Sequence, residues 1–475
     1  MASSPVGSKA LIGLLGDWRT DAPAYEALAD RIRLLLIDGR LASETRLPSE
    51  RDLSDRLGVS RTTVAAAYQR LREHGLAQSV RGSGTVVGLG AAPATDPIVE
   101  GLLDLTKAAP PATSLLPDGL ASAMRDLPAY LNGPGYEVIG LPVLRSAVAA
   151  RFTERGLATD ADEILITTGA QHAINLISRV LLSRGDRVLI ESPTYPHAYD
   201  AFQAAGARFV TTPVSTETET GWDASALVAS IRRASPTLAY VMPDFQNPTG
   251  RVMPAAVRRR LLDAAASQGT IVVADETPAE LAIDPHVAMP PLAAGARGAS
   301  VITIGSASKT MWGGLRIGWI RAERSMVRRL LATRANMDLG TPLVEQLATA
   351  SLLRRMPEVL AERRAGLAAG RDALVRELSR HFPSWTVPQV AGGLAAWVGI
   401  GEPVSSQLAL AARSHGLLIT AGPRFGIDGA FERFLRFPLT CGPDAVGRAV
   451  ATLATAWPEA SRHPYGEQGG LSAVV

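Results

Sequence analysis

The chain has 475 residues, 47% of them hydrophobic and 20% charged, and its formal net charge is +3. This length predicts two to three domains, and so small a net charge does not by itself indicate a nucleic-acid partner. A single cysteine, Cys441, excludes an intramolecular disulfide and fits a reducing, cytoplasmic compartment, and neither a signal peptide nor an apolar run long enough to span a membrane is evident.

The first elements predicted along the chain are helices. Apolar residues recur at helical spacing between Pro23 and Gly39, which predicts one helix there. Two shorter helices follow, since Ser49 is placed to cap the first, Gly58 to end it and Ser60 to cap the second. The turn of roughly three to four residues between them is typical of a helix-turn-helix.

The second short helix is the candidate recognition helix. Arg61, Thr62 and Thr63 fall on its exposed first turn, where such a helix presents side chains to the major groove. Arginine pairs with guanine there, and threonine contacts phosphate or a thymine methyl group.

A basic hairpin is predicted directly after this helix. Strands at 76–80 and 84–87 flank Arg81 and Gly82, so the tip of the hairpin can lie along a minor groove or the phosphate backbone. The alternative is a small helical subdomain whose arginines are merely solvated. The order of helix, helix-turn-helix and basic hairpin favours a DNA-binding domain over residues 1–88, the reader domain.

Residues 21–87 resemble the winged helix-turn-helix of GntR-family repressors. The resemblance rests on Leu47-Pro48-Ser49-Glu50-Arg51, Leu57-Gly58-Val59-Ser60-Arg61-Thr62-Thr63-Val64 and Arg81-Gly82-Ser83-Gly84-Thr85. It implies double-stranded DNA as a partner, contacted by the matching positions Arg51, Arg61, Thr62, Thr63 and Gly82.

Residues 89–113 are predicted to form a flexible linker. The stretch is rich in glycine, alanine and proline and shows no periodic pattern. We expect it to tether the reader domain to a larger body, with Lys107 solvated.

Residues 114–475 predict an α/β body. Short β-branched runs alternate with helical stretches, which indicates a mostly parallel sheet with helices on both faces. The predicted strands are Glu163–Thr167, Arg187–Glu191, Arg208–Thr212, Leu238–Met242, Thr270–Ala274 and Val301–Ile304. Ligands gather at the carboxyl ends of such strands.

The clearest candidate for chemistry is Lys309. The chain has only three lysines, Lys9, Lys107 and Lys309, whereas arginine carries the other basic charges. An amine can lose its proton and attack a carbonyl, which a guanidinium cannot do. Ser306, Ser308 and Arg316 lie close to it in sequence, and they supply hydroxyls and a cation for an anion such as phosphate. The alternative is an exposed loop lysine with no role.

Other candidates end neighbouring strands. Gly169, Ala170 and Gln171 begin a helix whose free N–H groups suit an anion. Asp275 ends an apolar strand and needs a partner, such as a protonated pyridine nitrogen. Asn247 can bond a phenolic oxygen, although Asn-Pro also simply makes turns.

This order of motifs, over about residues 114–455, resembles fold type I aminotransferases, which bind pyridoxal 5'-phosphate (PLP). The resemblance implies a seven-stranded-type, mostly parallel sheet with a smaller α+β C-terminal subdomain, and a Schiff base between Lys309 and PLP. It also implies that Asp275 pairs with the ring nitrogen, Asn247 bonds the ring hydroxyl and Tyr195 lies near the ring. The implied phosphate ligands are Gly169, Ala170, Gln171, Ser306, Ser308 and Arg316.

Further implied roles fall on residues outside these motifs. Arg436 matches the arginine that holds an α-carboxylate, and Tyr136 matches a tyrosine that reaches the partner subunit's phosphate, which implies a homodimer. Domain swapping in that dimer stays open. Thr277 departs from the pattern, because the family commonly has a tyrosine there that touches the ring hydroxyl.

The fusion of a winged helix to an aminotransferase-like body resembles the MocR-type branch of the GntR family. We therefore expect a PLP-dependent transcriptional regulator that binds promoter DNA and senses PLP or a small amino compound. The alternatives are a working aminotransferase with an appended reader domain, and a metabolite sensor that has lost Schiff-base chemistry. Metal is not expected in any of these, and the residual aminotransferase activity is left open.

Overall fold

The computed structural model describes residues 6–16, 18–19, 23–37, 41, 44–80, 84–87, 102–218, 221–287, 289–427 and 429–461. The predicted DNA contacts Arg81 and Gly82, and most of the predicted linker, lie outside these residues. No helix within the described ranges is both long and apolar enough to cross a membrane.

The reader domain has the predicted helix-turn-helix and hairpin. Its elements are α1 (Ser8–Leu15), α2 (Ala24–Ile37), β1 (Thr45–Arg46), α3 (Glu50–Leu57), α4 (Arg61–Glu73), β2 (Ala77–Val80) and β3 (Gly84–Val87). Ser49 Oγ accepts from the Asp52 amide at 3.2 Å, and Ser60 Oγ accepts from the Thr63 amide at 3.1 Å, so both predicted caps are formed. Gly58 ends α3 in the left-handed conformation, with φ 64°.

The core of the reader domain sets the exposed face of α4. Val64, Ala67, Tyr68 and Leu71 are buried on one side of this helix and pack in a cluster with residues of α2. The first turn of α4 therefore faces outward. The sequence did not predict α1 or β1, which pairs with β3 to complete a three-stranded antiparallel sheet.

The body alternates strands and helices as predicted. Its first part contains β4 (Leu103–Asp104), α5 (Leu116–Asp126), α6 (Pro142–Glu154), β5 (Ile164–Thr167), α7 (Ala170–Leu181), β6 (Arg187–Ser192), α8 (Pro196–Ala204), β7 (Arg208–Pro213), α9 (Ala224–Ala234), β8 (Leu238–Val241), α10 (Ala255–Gln268), β9 (Ile271–Asp275), β10 (Val301–Ser306), β11 (Gly318–Arg321), α11 (Arg324–Arg334) and α12 (Leu343–Leu353). Its second part contains α13 (Met356–His381), β12 (Ala395–Gly399), α14 (Ser405–Ser414), β13 (Leu417–Leu418), β14 (Thr420–Ala421), β15 (Phe434–Pro438) and α15 (Pro443–Ser461).

The central sheet is mostly parallel, which confirms the predicted fold class. Its seven strands run in the order β5-β11-β10-β9-β8-β6-β7, and only β11 is antiparallel to its neighbours. Side chains alternate between the two faces. Val188, Ile190 and Tyr240 pack with α7 and α8, whereas Leu189 and Val241 pack with α9 and α10 on the other face.

A smaller α+β subdomain follows, also as predicted. Strands β12, β15 and β14 form an antiparallel sheet that packs with α13, α14 and α15 in a separate apolar cluster. This subdomain covers one side of the carboxyl ends of the large sheet, and the space between the two contains the candidate site.

Part of the predicted linker is attached to the body. β4 pairs in parallel with β13 of the small subdomain, and the Thr113 amide donates to Met311 O at 3.0 Å. Residues 103–113 therefore cross the body between two fixed ends. In addition, α2 of the reader domain lies against α14 of the small subdomain.

Candidate functional site

The candidate site is a cavity of about 650 Å³ between the large sheet and the small subdomain. That volume lies in the range typical of small-molecule sites. Most of the predicted site residues of the body line it: Ala170, Gln171, Tyr195, Asn247, Asp275, Ser306, Ser308, Lys309, Arg316 and Arg436. They are far apart in sequence and meet because parallel strands end at one edge of the sheet.

Lys309 lies in the turn after β10, and its amine points into the cavity. Burial lowers its pKa, the charges of Arg436 and Arg316 act in the same direction, and Asp275 opposes them. A larger fraction of the amine is therefore neutral at neutral pH than for an exposed lysine, which favours nucleophilic attack. Its Nζ donates to the carbonyl oxygen of Ala108 at 3.1 Å.

Asp275 is buried at the carboxyl end of β9. The hydroxyl of Tyr240 donates to its Oδ2 at 2.7 Å, and the Thr277 amide donates to its Oδ1 at 3.0 Å. Burial raises the pKa of Asp275, while these hydrogen bonds and Lys309 lower it. The arrangement holds one carboxylate at the floor of the cavity, ready to face a cationic group.

The N-terminus of α7 and the loop after Lys309 form an anion cradle. Gly169 precedes α7 with φ 78°, and a Cβ there would lie 2.6 Å from Nη2 of Arg316. Within the described ranges, the hydrogen bonds of Arg316 are long contacts of 3.4 Å, to the carbonyls of Gly313 and Thr168. Its guanidinium and the free N–H groups of the helix therefore face the same space.

Ser306 and Ser308 carry the two predicted hydroxyls of the cradle, and the hydroxyl of Ser306 is bonded within the turn itself. Ser306 Oγ donates to Ile317 O at 3.1 Å and accepts from the Ser308 amide at 3.1 Å, so this hydroxyl fixes the turn that carries Lys309. Gln171 donates to His197 O at 3.0 Å, while its Oε1 is buried and has no partner among the described residues.

Asn247 and Tyr195 lie on the walls of the cavity. Asn247 Oδ1 is buried without a hydrogen-bond partner in the described part of the chain, so its amide is held in the cavity and is unsatisfied. Burial raises the pKa of Tyr195 to about 12, as does the charge of Asp275. Both side chains are therefore neutral groups that can contact a ligand.

Arg436, on β15, is the cation on the opposite wall. It is only 6% exposed, and burial lowers its pKa to about 10. Its Nη2 donates to the carbonyl oxygen of Thr106, its Nε has no partner among the described residues, and its guanidinium lies 5.4 Å from the centre of the Phe425 ring. A buried guanidinium with spare donors suits a ligand carboxylate.

One wall of the cavity is formed by a short segment of the chain, which we call the covering segment: Thr106, Lys107, Ala108 and Ala109. Its carbonyl oxygens accept from Arg436 and Lys309, as described above. Lys107 forms an ion pair with Asp104 at 2.9 Å. The sequence analysis missed this segment, because neither contact has a local signal in the chain.

Buried ion pairs brace the loops of the site. Arg258 binds Asp244 at 2.6 Å beside the loop of Asn247, and Arg155 binds Glu276 at 3.0 Å next to Asp275. Sequence reasoning missed these pairs as well as Tyr240. A tyrosine inside an apolar strand was the one available signal, because a buried hydroxyl needs a partner.

Tyr136 is not brought to the cavity of its own chain. It is 65% exposed and lies in the segment that precedes α6. Thr277 does line the cavity, and its amide holds Asp275.

The predicted DNA contacts that the structure describes lie in the first turns of α3 and α4. Arg61 is 72% exposed, and Arg51 and Thr62 are also exposed. Thr63 is half-buried, and its hydroxyl lies 2.8 Å from Ser60 Oγ. Arg61 lies 3.7 Å from Glu50, too far for a strong ion pair, so its guanidinium is available to a ligand.

Family comparisons match both parts of the chain. Residues 115–453 match the model described as aminotransferase class I and II, and residues 24–87 match bacterial regulatory proteins of the gntR family. A 2-aminoadipate transaminase of Thermus thermophilus is 32% identical over 64% of this chain and 78% of its own. A probable rhizopine catabolism regulatory protein, MocR, of Rhizobium meliloti is 28% identical over 78% of this chain and 80% of its own.

A solved structure has the same fold as the body. The α-aminoadipate aminotransferase LysN of Thermus thermophilus, complexed with N-(5'-phosphopyridoxyl)-L-leucine, superposes with a TM-score of 0.70. It is 29% identical and covers 76% of this chain and 94% of its own.

Proposed function

This chain belongs to the aminotransferase class I and II family, and because a gntR-type domain precedes that body, we propose that it is a PLP-dependent transcriptional regulator. The reader domain binds promoter DNA, and the body binds PLP and a small amino compound. The observation that carries the proposal is the covering segment. It continues from the linker of the reader domain and bonds to both Lys309 and Arg436 in the cavity.

The cavity fits PLP on its own chemistry. Asp275 offers a buried carboxylate to a pyridine nitrogen, and Asn247 has a buried amide oxygen without a partner, among the described residues, beside the place for the ring. Gly169, Ala170, Gln171, Ser308 and Arg316 would hold the phosphate, and Ser306 fixes the turn that carries Ser308. Lys309 would hold the cofactor covalently. Bound PLP would supply an aldehyde that reacts reversibly with amines and a ring that withdraws electrons.

The residues of this chain can link occupancy of the cavity to DNA binding. Lys309 would no longer donate its amine proton to Ala108 O once it held PLP, and Arg436 would share its guanidinium between a ligand carboxylate and Thr106 O. Both changes would weaken the contacts of the covering segment with the cavity. A ligand shifts a conformational equilibrium only through such a difference in contacts between two states.

A homodimer is part of the proposal. Large apolar side chains are exposed in three described segments, 116–143, 312–314 and 334–343, which is typical of a protein interface. These side chains are Leu120, Met124, Leu131, Tyr136, Val143, Trp312, Met337 and Leu339. Tyr136 would reach the phosphate site of the partner subunit. The dimer places two reader domains on one promoter, whether or not these domains are swapped between the subunits. It acts on DNA in the cytoplasm.

The test is a DNA-binding assay on the full-length chain. A labelled fragment of its own upstream region is titrated with protein at two salt concentrations, with and without PLP. We expect salt-dependent binding that PLP changes and that Arg61→Ala weakens. Steady-state transamination with common amino donors at ordinary enzyme rates, together with no specific DNA binding, would favour the working aminotransferase instead.

A further inference from the structure

The cavity is lined by more cationic side chains than PLP and one carboxylate require. Among its described lining residues Asp275 is the only carboxylate, whereas six side chains are cationic: Lys107, Lys309, Arg316, Arg413, Arg424 and Arg436. The proposed function uses Lys309 for the cofactor, Arg316 for its phosphate and Arg436 for an α-carboxylate. Lys107 is paired with Asp104 and its side chain is 78% exposed.

Arg424 is one of the two remaining cations that line the cavity. It lies in a short 3-10 turn, Gly422–Phe425, directly before the phenylalanine whose ring contacts Arg436. Arg424 and Arg436 therefore belong to the same wall. Arg436, Arg316 and Arg424 line the same cavity as Tyr195, and their charges lower the pKa of its phenol against the larger effect of burial.

The ion pair of Arg424 leaves it able to bind a second anion. One nitrogen, Nη2, contacts Asp200 Oδ2 at 2.7 Å, and the carboxylate of Asp200 is 45% exposed and also lies 3.6 Å from His197 Nδ1. A guanidinium has five N–H donors, so a ligand carboxylate can bind without displacing Asp200. An ion pair as exposed as Arg424–Asp200 contributes little free energy by itself. A ligand carboxylate that shields Arg424 from water interacts with it more strongly.

From this geometry we infer that Arg424 selects effectors with a second anionic group, namely amino acids whose side chain ends in a carboxylate. The inference rests on the proposed function, since it places the α-carboxylate on Arg436. The distal carboxylate then binds the guanidinium of Arg424. A neutral side chain of the same length brings no charge to the remaining N–H donors of Arg424.

Stable adducts test the inference without any reaction. N-(5'-phosphopyridoxyl) adducts of aspartate, glutamate and 2-aminoadipate are titrated calorimetrically into the PLP-free full-length chain. Each is paired with its neutral isostere, from asparagine, glutamine and the 6-amide of 2-aminoadipate. We expect at least one acidic adduct to bind tenfold or more tightly than its isostere, with a smaller ratio at high salt.

Arg424→Met keeps the aliphatic stem and removes the charge. In this variant the acid-to-neutral ratio should fall to within about threefold of unity, while the neutral adduct keeps its wild-type affinity and so reports an intact site. Arg380→Met, on the exposed end of α13, changes the net charge equally and should leave the ratio unchanged.

The outcomes separate the two hypotheses. If acidic and neutral adducts bind wild-type protein equally, or if the preference survives in Arg424→Met, the inference about Arg424 is wrong and the proposed function stands. If neither PLP nor any adduct binds, the proposed function itself fails, and the inference fails with it.

Discussion

The hydroxyl of Tyr240 should be a determinant of PLP affinity, although it does not line the cavity. Tyr240 is completely buried on β8 and donates to Asp275 Oδ2 at 2.7 Å. Tyr240→Phe removes this hydrogen bond with little change in shape. Asp275 then keeps the Thr277 amide on its other oxygen, at 3.0 Å.

The size of the expected loss of PLP affinity follows from the charge of the hydrogen-bond acceptor, the Asp275 carboxylate. A hydrogen bond to a charged group contributes about 1.5–3 kcal/mol. In the PLP-free site Asp275 can relieve the loss by taking a proton, because burial already raises its pKa. In the PLP-bound site the Asp275 carboxylate must stay ionised opposite a cation. Loss of the Tyr240 hydrogen bond therefore destabilises mainly the PLP-bound state. PLP affinity should drop by roughly ten- to a hundredfold.

Absorbance titration of the PLP-free chain with PLP measures this affinity. The matched control is Tyr68→Phe, which removes another buried tyrosine bond, the 3.0 Å contact with Pro48 O, in the reader domain. It should leave PLP affinity unchanged. Unaltered PLP affinity in Tyr240→Phe, or an equal loss in Tyr68→Phe, would refute the reasoning.

Three further predictions concern other parts of the molecule. Arg61→Ala should weaken promoter binding by about 5- to 150-fold and reduce its salt dependence, as measured by fluorescence anisotropy, because it removes one DNA contact. Gly169→Ala should weaken PLP binding at least tenfold in equilibrium dialysis, because φ 78° strains an L residue and its Cβ would lie 2.6 Å from Arg316; unchanged affinity would contradict the anion cradle. Burial raises the pKa of Glu191 to about 8, above its ordinary value, so its contribution to stability is complete at acidic pH and is lost as pH rises towards 8. In urea unfolding from pH 6 to 9, stability should fall by up to about 1.4 kcal/mol per pH unit below pH 8 and level off above it, and Glu191→Gln should remove this loss. An identical profile in both proteins would exclude this group as the cause.

Much of the site was predictable because its residues end regular elements. The β-branched runs before Gly169, Asp275 and Lys309 predicted parallel strands, and parallel strands end at one edge of a sheet. Ser49 and Ser60 predicted the two helices of the reader domain in the same local way. In each case a few neighbouring residues set both the element and its end.

The rest of the site depends on contacts between distant residues. Thr106 and Arg436 are 330 positions apart, and Ala108 and Lys309 are 201 apart, so the wall formed by the covering segment has no local pattern. The composition of residues 89–113, with alanine and proline after glycine, predicted a flexible linker instead. Strand β11 was missed because its sequence, Gly-Trp-Ile-Arg, is short and continues the glycine-rich loop after Lys309.

The central claim is that occupancy of the cavity at Lys309 changes the affinity of the reader domain for DNA. The direct measurement is the dissociation constant of the full-length chain for its own promoter with and without saturating PLP, for wild type and Lys309→Ala. We expect PLP to change the wild-type constant by at least fivefold, and the variant to bind DNA with a constant that PLP does not alter. Equal constants with and without PLP in the wild type, while PLP is bound at Lys309, would contradict the account.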